Sequence, residues 1–229
     1  MHRVRALAGL LPPQLGLLAL LAVALAAGAC DSEPRRPASA VRTVTLAPGP
    51  HSVAVVSVKD LGKIRIELLP EAAPKTVAQF EKLAAQGYYD GTTFHRVIPD
   101  FMIQGGCPNT RNADPRDDGK GGGEYALMDE FSDLPHRRGI VSMANHGSPN
   151  SGGTQFFIVQ GDAPHLDGKH TVFGRVIEGM EVVDAITKLE IDKFGRYGPP
   201  ERPYPVSALV ESIRTQAAAS AASTPAGGG

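Results

Sequence analysis

Tryptophan is absent from this chain, cysteine occurs only twice, and the charges nearly cancel: 23 Lys and Arg against 24 Asp and Glu, a formal net charge of -1. Near-neutrality argues against a nucleic-acid binder, which carries a basic surface to meet phosphates. Glycine and proline together stay below the ~25–30% typical of disordered low-complexity chains. Aromatics are few, 8 Phe and 5 Tyr, and all lie between Phe80 and Tyr204. The first 79 residues and the last 25 contain none, so the core is shorter than the chain. With 42% hydrophobic residues, one packed domain is expected between dispensable ends.

The N-terminal end reads as an export signal. Arg3 and Arg5 form a basic head, and the stretch from Leu15 to Ala29 carries no charge and ends in small residues before Cys30. Polarity then rises abruptly through Asp31, Ser32 and Glu33. A basic head, an apolar run and a small-residue exit describe a secretory signal. With Cys30 directly after Gly28 and Ala29, the segment resembles a bacterial lipoprotein signal, in which the cysteine is acylated and becomes the mature N-terminus. Ala27 departs from the leucine that pattern prefers. The competing reading is an uncleaved anchor over Leu7 to Ala29, but Pro12-Pro13 interrupts the ~20 apolar residues a span requires. Either reading puts the domain outside the cytoplasm, in a bacterial cell envelope and tied to a membrane. Asp31 after the cysteine is similar to an inner-membrane retention signal.

Residues 1–29 are thus expected as the signal, 30–50 as a flexible tether rich in Pro, Ala and Ser, and 217–229 as a disordered Ala/Ser/Gly-rich tail. The folded domain is expected over 51–216, long enough to bury most of its apolar surface. With Cys30 acylated, Cys107 has no disulfide partner and reads as a structural thiol.

Inside the domain the hydrophobic pattern alternates with period two. Strands are expected over Ser52–Val58, Lys63–Leu69, Thr93–Ile98, Phe101–Gln104, Ile140–Ala144, Gln155–Gln160, Thr171–Ile177 and Val206–Ile213, with Asp60-Leu61-Gly62 turning the first hairpin. Pro74, then Val77, Phe80, Leu83 and Ala84 at helical spacing, with Gly87 as stop, predict one helix. Met180, Val183, Ile186 and Leu189 predict a second. Many short strands and two helices mean a mainly β fold, sandwich or barrel.

Motifs for most chemistries are missing. The chain has no Gly-x-Ser-x-Gly elbow, Cys-x-x-Cys, His-Glu-x-x-His or P-loop, and Gly119-Lys120-Gly121-Gly122-Gly123 lacks the Walker spacing. His165, Asp167 and His170 are too few for a zinc site, so no metal and no cofactor is expected. No nucleophile–base pair is recognisable, which argues against hydrolysis. What is present is Phe94-His95-Arg96-Val97-Ile98-Pro99-Asp100-Phe101-Met102-Ile103-Gln104-Gly105-Gly106, followed by Ser142-Met143-Ala144-Asn145, Gln155-Phe156-Phe157-Ile158 and Leu166-Asp167-Gly168-Lys169-His170.

These blocks, in this order and spacing from about Ser52 to Ile213, resemble the cyclophilins, the cyclosporin-binding class of peptidyl-prolyl cis–trans isomerases. The resemblance implies a closed eight-stranded antiparallel β-barrel with two capping helices, and a monomer. It implies Arg96 as the catalytic arginine and Phe101, Met102, Phe157 and Leu166 as the proline pocket, with His170 at its rim. Gln104, Ala144, Asn145 and Gln155 fall on positions that contact the substrate. On this reading Phe157 faces the site while Phe156 and Met143 are core; His95 is structural, and His146 sits on an exposed loop. The implied partners are proline-containing polypeptides being exported; the alternative is a chaperone or proline-binding module that uses the same groove without turnover. His165 stands where eukaryotic relatives commonly carry a tryptophan that contacts cyclosporin, so weak cyclosporin binding is expected.

Overall fold

The computed structural model describes residues 41–47, 51–112, 114–189 and 209–217. The expected signal, Cys30, most of the 30–50 segment, the tail beyond 217 and the start of the last strand at Val206 lie outside the described residues. Eight strands and two helices follow one another as β1 (Val53–Val58), β2 (Gly62–Leu68), α1 (Pro74–Ala85), β3 (Arg96–Ile98), β4 (Met102–Gly105), β5 (Ile140–Met143), β6 (Phe156–Val159), β7 (Val172–Glu178), α2 (Met180–Thr187) and β8 (Val210–Gln216).

The strands pair antiparallel in the order β3-β4-β6-β5-β7-β2-β1-β8. Here the expectation of a closed barrel is corrected: the sheet is a curled half-barrel, with β3 and β8 as its two edges. Register shifts in β1, β2 and β5 add local twist. Closure fails because β3 is only three residues long, and the expected strand residues Thr93 to His95 form no ladder. Among the described residues, Thr93 makes a single bridge to Leu209, flanked by Gly91 N donating to Val210 O at 2.9 Å and Val210 N to Thr92 O at 2.8 Å.

The alternation of side chains gives the sheet two unlike faces. Inward go Ala54, Val56, Ile64, Ile66, Val97, Ile103, Val141, Met143, Phe156, Ile158 and Phe173, joined by Val77, Phe80, Leu83 and Ala84 of α1 and Val183 and Ile186 of α2. Phe80 is the hub of this core, with ring centroids 5.2 Å from Tyr89, 5.6 Å from Phe156 and 5.2 Å from Phe173. A second, smaller cluster on the opposite face gathers Met102, Phe157, Val159 and Ala163, with Phe101, Ala144 and Leu166 against it.

Helix α1 starts at Pro74, where the missing N–H costs nothing. Ala73 has no side chain to cap it, and the distant Glu130 supplies the acceptor instead, taking hydrogen bonds from Thr76 N and Thr76 Oγ1, both at 2.9 Å. The same loop holds part of the segment read as a tether. Arg42 N donates to Phe131 O, and Asp133 N to Arg42 O, each at 3.0 Å, so the chain at Val41–Val44 runs beside residues 131–133. Cys107 is buried and accepts a hydrogen bond from Gly119 N at 3.2 Å.

Candidate active site

Antiparallel register places Arg96 opposite Gln104, Gln104 opposite Phe157, and Phe157 opposite Ser142. Four strands thus deliver one side chain each to a single row on the outer face. Met102, two residues before Gln104, joins that face with its side chain buried, whereas Ile103 between them points into the core. A cavity of about 100 Å³ opens over the Arg96, Gln104 and Phe157 end of this row, lined by these three with Phe101, Met102, Ala144, Asn145, Leu166 and His170.

Nine of the ten expected site residues therefore meet in one cleft. The tenth, Gln155, stands behind it. Arg96 Nη1 donates to Gln104 Oε1 at 3.4 Å, and Gln104 Nε2 donates to Gln155 Oε1 at 3.0 Å. Gln155 Nε2 in turn donates to the carbonyls of Gly119 and Gly121 at 2.8 and 2.9 Å. Gln155 is thus a brace joining the glycine loop to the polar end of the cleft. The approach is tight: Gly106, at φ +83°, would carry a Cβ only 2.6 Å from Thr154 O, so glycine is required there. Asn145 uses its amide to hold its own loop, donating to Lys169 O at 3.1 Å and accepting from Gly147 N at 3.1 Å.

Among the described residues no carboxylate neutralises Arg96, and burial alone pushes its proton affinity below the usual value. A guanidinium still keeps its charge at any working pH. An exposed guanidinium at the edge of an apolar cleft retains unused donors for a bound molecule. His170 is fixed by its Nδ1 against Met143 O at 3.0 Å and sets its edge on Phe157, with centroids 5.2 Å apart and planes at 87°. Burial lowers its basicity, so at neutral pH it is an uncharged ring. His165 is exposed on the rim, 5.3 Å from the Phe101 ring.

One arrangement runs against the sequence reading. No motif pairs His136 with Ser142, yet Ser142 Oγ lies 2.9 Å from His136 Nε2, and His136 Nδ1 lies 2.9 Å from Asp167 Oδ1. This is the connectivity of a hydrolase triad. Its serine, however, is fully buried within β5, where no acyl group reaches it. The contact spans 31 residues from His136 to Asp167, and no local spacing announces it.

The family of cyclophilin-type peptidyl-prolyl cis-trans isomerases matches residues 53–209, and the chain belongs to it. It is 49% identical over 137 residues to peptidyl-prolyl cis-trans isomerase B of Bacillus subtilis, covering 59% of this chain and 90% of that protein. A probable peptidyl-prolyl cis-trans isomerase of Brucella suis is 46% identical over 154 residues, covering 65% of this chain and 78% of the relative. A crystal structure of a Cryptosporidium parvum cyclophilin-type isomerase, determined in the presence of the dipeptide Ala-Pro, superposes with a TM-score of 0.60 at 32% identity. That match covers 72% of this chain and 99% of the other. The chain is accordingly a peptidyl-prolyl cis–trans isomerase.

Proposed function

We propose that the outer-face cleft binds the prolyl ring of an X–Pro substrate and that Arg96 drives the rotation. The observation that carries this reading is the meeting of an apolar floor, Phe101, Met102, Phe157 and Leu166, with the guanidinium of Arg96, which forms no ion pair among the described residues. Rotation about an X–Pro bond breaks no covalent bond but crosses a barrier of ~18–20 kcal/mol set by amide resonance. A catalyst must hold the ring still and favour the twisted amide, whose nitrogen has regained a lone pair. The aromatic and thioether surfaces suit the first task. Arg96 suits the second, donating towards that nitrogen while Gln104 and Gln155 keep its neighbourhood in place. One well-aimed donor of this kind is worth ~10²–10³ in rate. No step requires a group that titrates near neutrality.

The reading extends to place. Exported polypeptides are the proposed substrates, met by a domain tethered through acylated Cys30 on the outer side of a membrane; mass spectrometry of the mature N-terminus distinguishes this from a retained anchor. NMR titration with an Ala-Pro peptide tests the cleft itself. Shifts centred on Met102, Phe157 and His170, together with accelerated cis–trans exchange, are expected; acceleration with those signals unmoved would refute the assignment. Cyclosporin should inhibit weakly because His165 offers less surface than an indole, and His165→Trp should tighten binding while leaving peptide turnover unchanged. Nanomolar inhibition of the wild type would contradict this.

A further inference from the structure

We infer that His136, which does not line the cleft, is a positioning residue that sets the whole Phe157–Leu166–His170 wall. The geometry points to it from four directions. Its ring lies nearly parallel to Phe157, with centroids 6.0 Å apart and planes at 20°. It meets the His170 ring edge-on at 6.2 Å. Its backbone and side chain clamp both ends of the short 3-10 turn Pro164–Leu166 that carries Leu166. Ala163 N donates to His136 O at 2.8 Å, before the turn. After the turn, Asp167 Oδ1 accepts from His136 N at 2.7 Å and pairs with Nδ1 at 2.9 Å.

A carboxylate only accepts, so Nδ1 carries the proton and Nε2 is left to accept from Ser142 Oγ. Both ring nitrogens are then satisfied by fixed groups on β5 and beyond the turn. The imidazole has one orientation and one tautomer, as when a carboxylate orients a metal-bound histidine through its other ring nitrogen. Burial opposes a second proton more strongly than Asp167 favours it, so the ring stays neutral and the arrangement holds across neutral pH. The same three groups that would make a triad on an open surface act here as a brace under a binding wall.

This inference rests on the proposed cleft, and the wall it sets touches the prolyl ring in ground and transition states alike. Its loss should therefore weaken binding rather than turnover. Asp167 is the gentler point of attack, because its carboxylate is 40% exposed and its removal leaves the packed core intact. Full-length Asp167→Ala should raise KM for an Ala-Pro peptide about 5–10-fold with kcat within about twofold. Asp167→Asn, whose amide oxygen can still accept from His136 Nδ1, should restore KM to near wild type. In nitrogen-15 spectra, wild-type His136 should show a single Nδ1–H tautomer, and Asp167→Ala a mixture. KM unchanged in Asp167→Ala, or KM raised equally in Asp167→Asn, would overturn the assignment. Wild-type titration shifts outside the cleft would overturn both it and the cleft reading; cleft shifts with unchanged variants would overturn it alone.

Discussion

Phe156 points into the packed side of the sheet, where its ring meets Phe80, Tyr89 and Phe94; one residue on, Phe157 faces the other way, between His136, His170 and the open cleft. The same contrast repeats on every strand of this half of the sheet: Val97 against Arg96, Ile103 against Met102 and Gln104, Val141 against Ser142. One face is a closed apolar core shared with both helices. The other is a row of unlike side chains ending in empty space. The difference teaches how a short-stranded sheet separates tasks: stability sits on one parity of residues and chemistry on the other, so a one-residue register slip would exchange them.

The comparison can be strained first on β6. Phe156→Ala removes the ring that packs on Phe80, Tyr89 and Phe94 and should cost about 3–5 kcal/mol of stability, while the protein that remains folded keeps its turnover. Phe157→Ala should cost about half as much, because its ring packs in the smaller cluster with Met102, Val159 and Ala163, yet lower kcat/KM about tenfold or more. Denaturant titration beside a peptide-isomerisation assay separates the two; equal losses of activity per folded molecule would dissolve the distinction between faces.

A smaller effect probes the seam beside the cleft. His95, one residue before Arg96, is buried, and its polar neighbours, the Thr93 backbone and the Gln155 side chain, do not offset the loss of water. Burial lowers its pKa to about 4. The unfolded chain takes up this proton near pH 6.5 and the fold does not, so stability is complete above that pH. It falls as pH drops, levelling below about 4, a loss on the order of 3 kcal/mol. Burial lowers the values of His136 and His170 as well, which acts in the same direction. Urea midpoints at pH 7.5 and 4.5 should differ accordingly, and His95→Leu should remove the largest share of that difference. His51 runs the other way: its hydrogen bond to Glu67 raises its pKa despite burial, so its stabilising share is full below pH 6.5 and fades as pH rises above that. An acid-stable wild type would contradict the reading of His95 as a ring kept neutral by burial.

Much of this was legible in the chain. Strands and helices follow from period-two and helical spacing, and the cleft residues sit in a few contiguous blocks, nine of whose residues line one cavity. Three things were not legible. Closure of the sheet depends on how far Thr93 to His95 extend a ladder, which hinges on a single bridge to Leu209. The brace from Gln155 to Gly119 and Gly121 spans more than thirty residues and leaves no spacing signal. The His136–Asp167 link is equally non-local, and the meaning of the Ser142–His136–Asp167 chain depends on burial: identical connectivity would be a nucleophile on the surface and is a brace within the sheet.

The most direct test of the account is Arg96→Ala, with kcat/KM on an Ala-Pro peptide and thermal stability measured on the same preparation. Arg96 lies on the exposed parity and forms no ion pair among the described residues, so Tm should move by no more than about 2 °C. Meanwhile kcat/KM should fall about 10²–10³-fold. Unchanged kcat/KM in a folded Arg96→Ala protein would contradict the assignment of catalysis to the outer face.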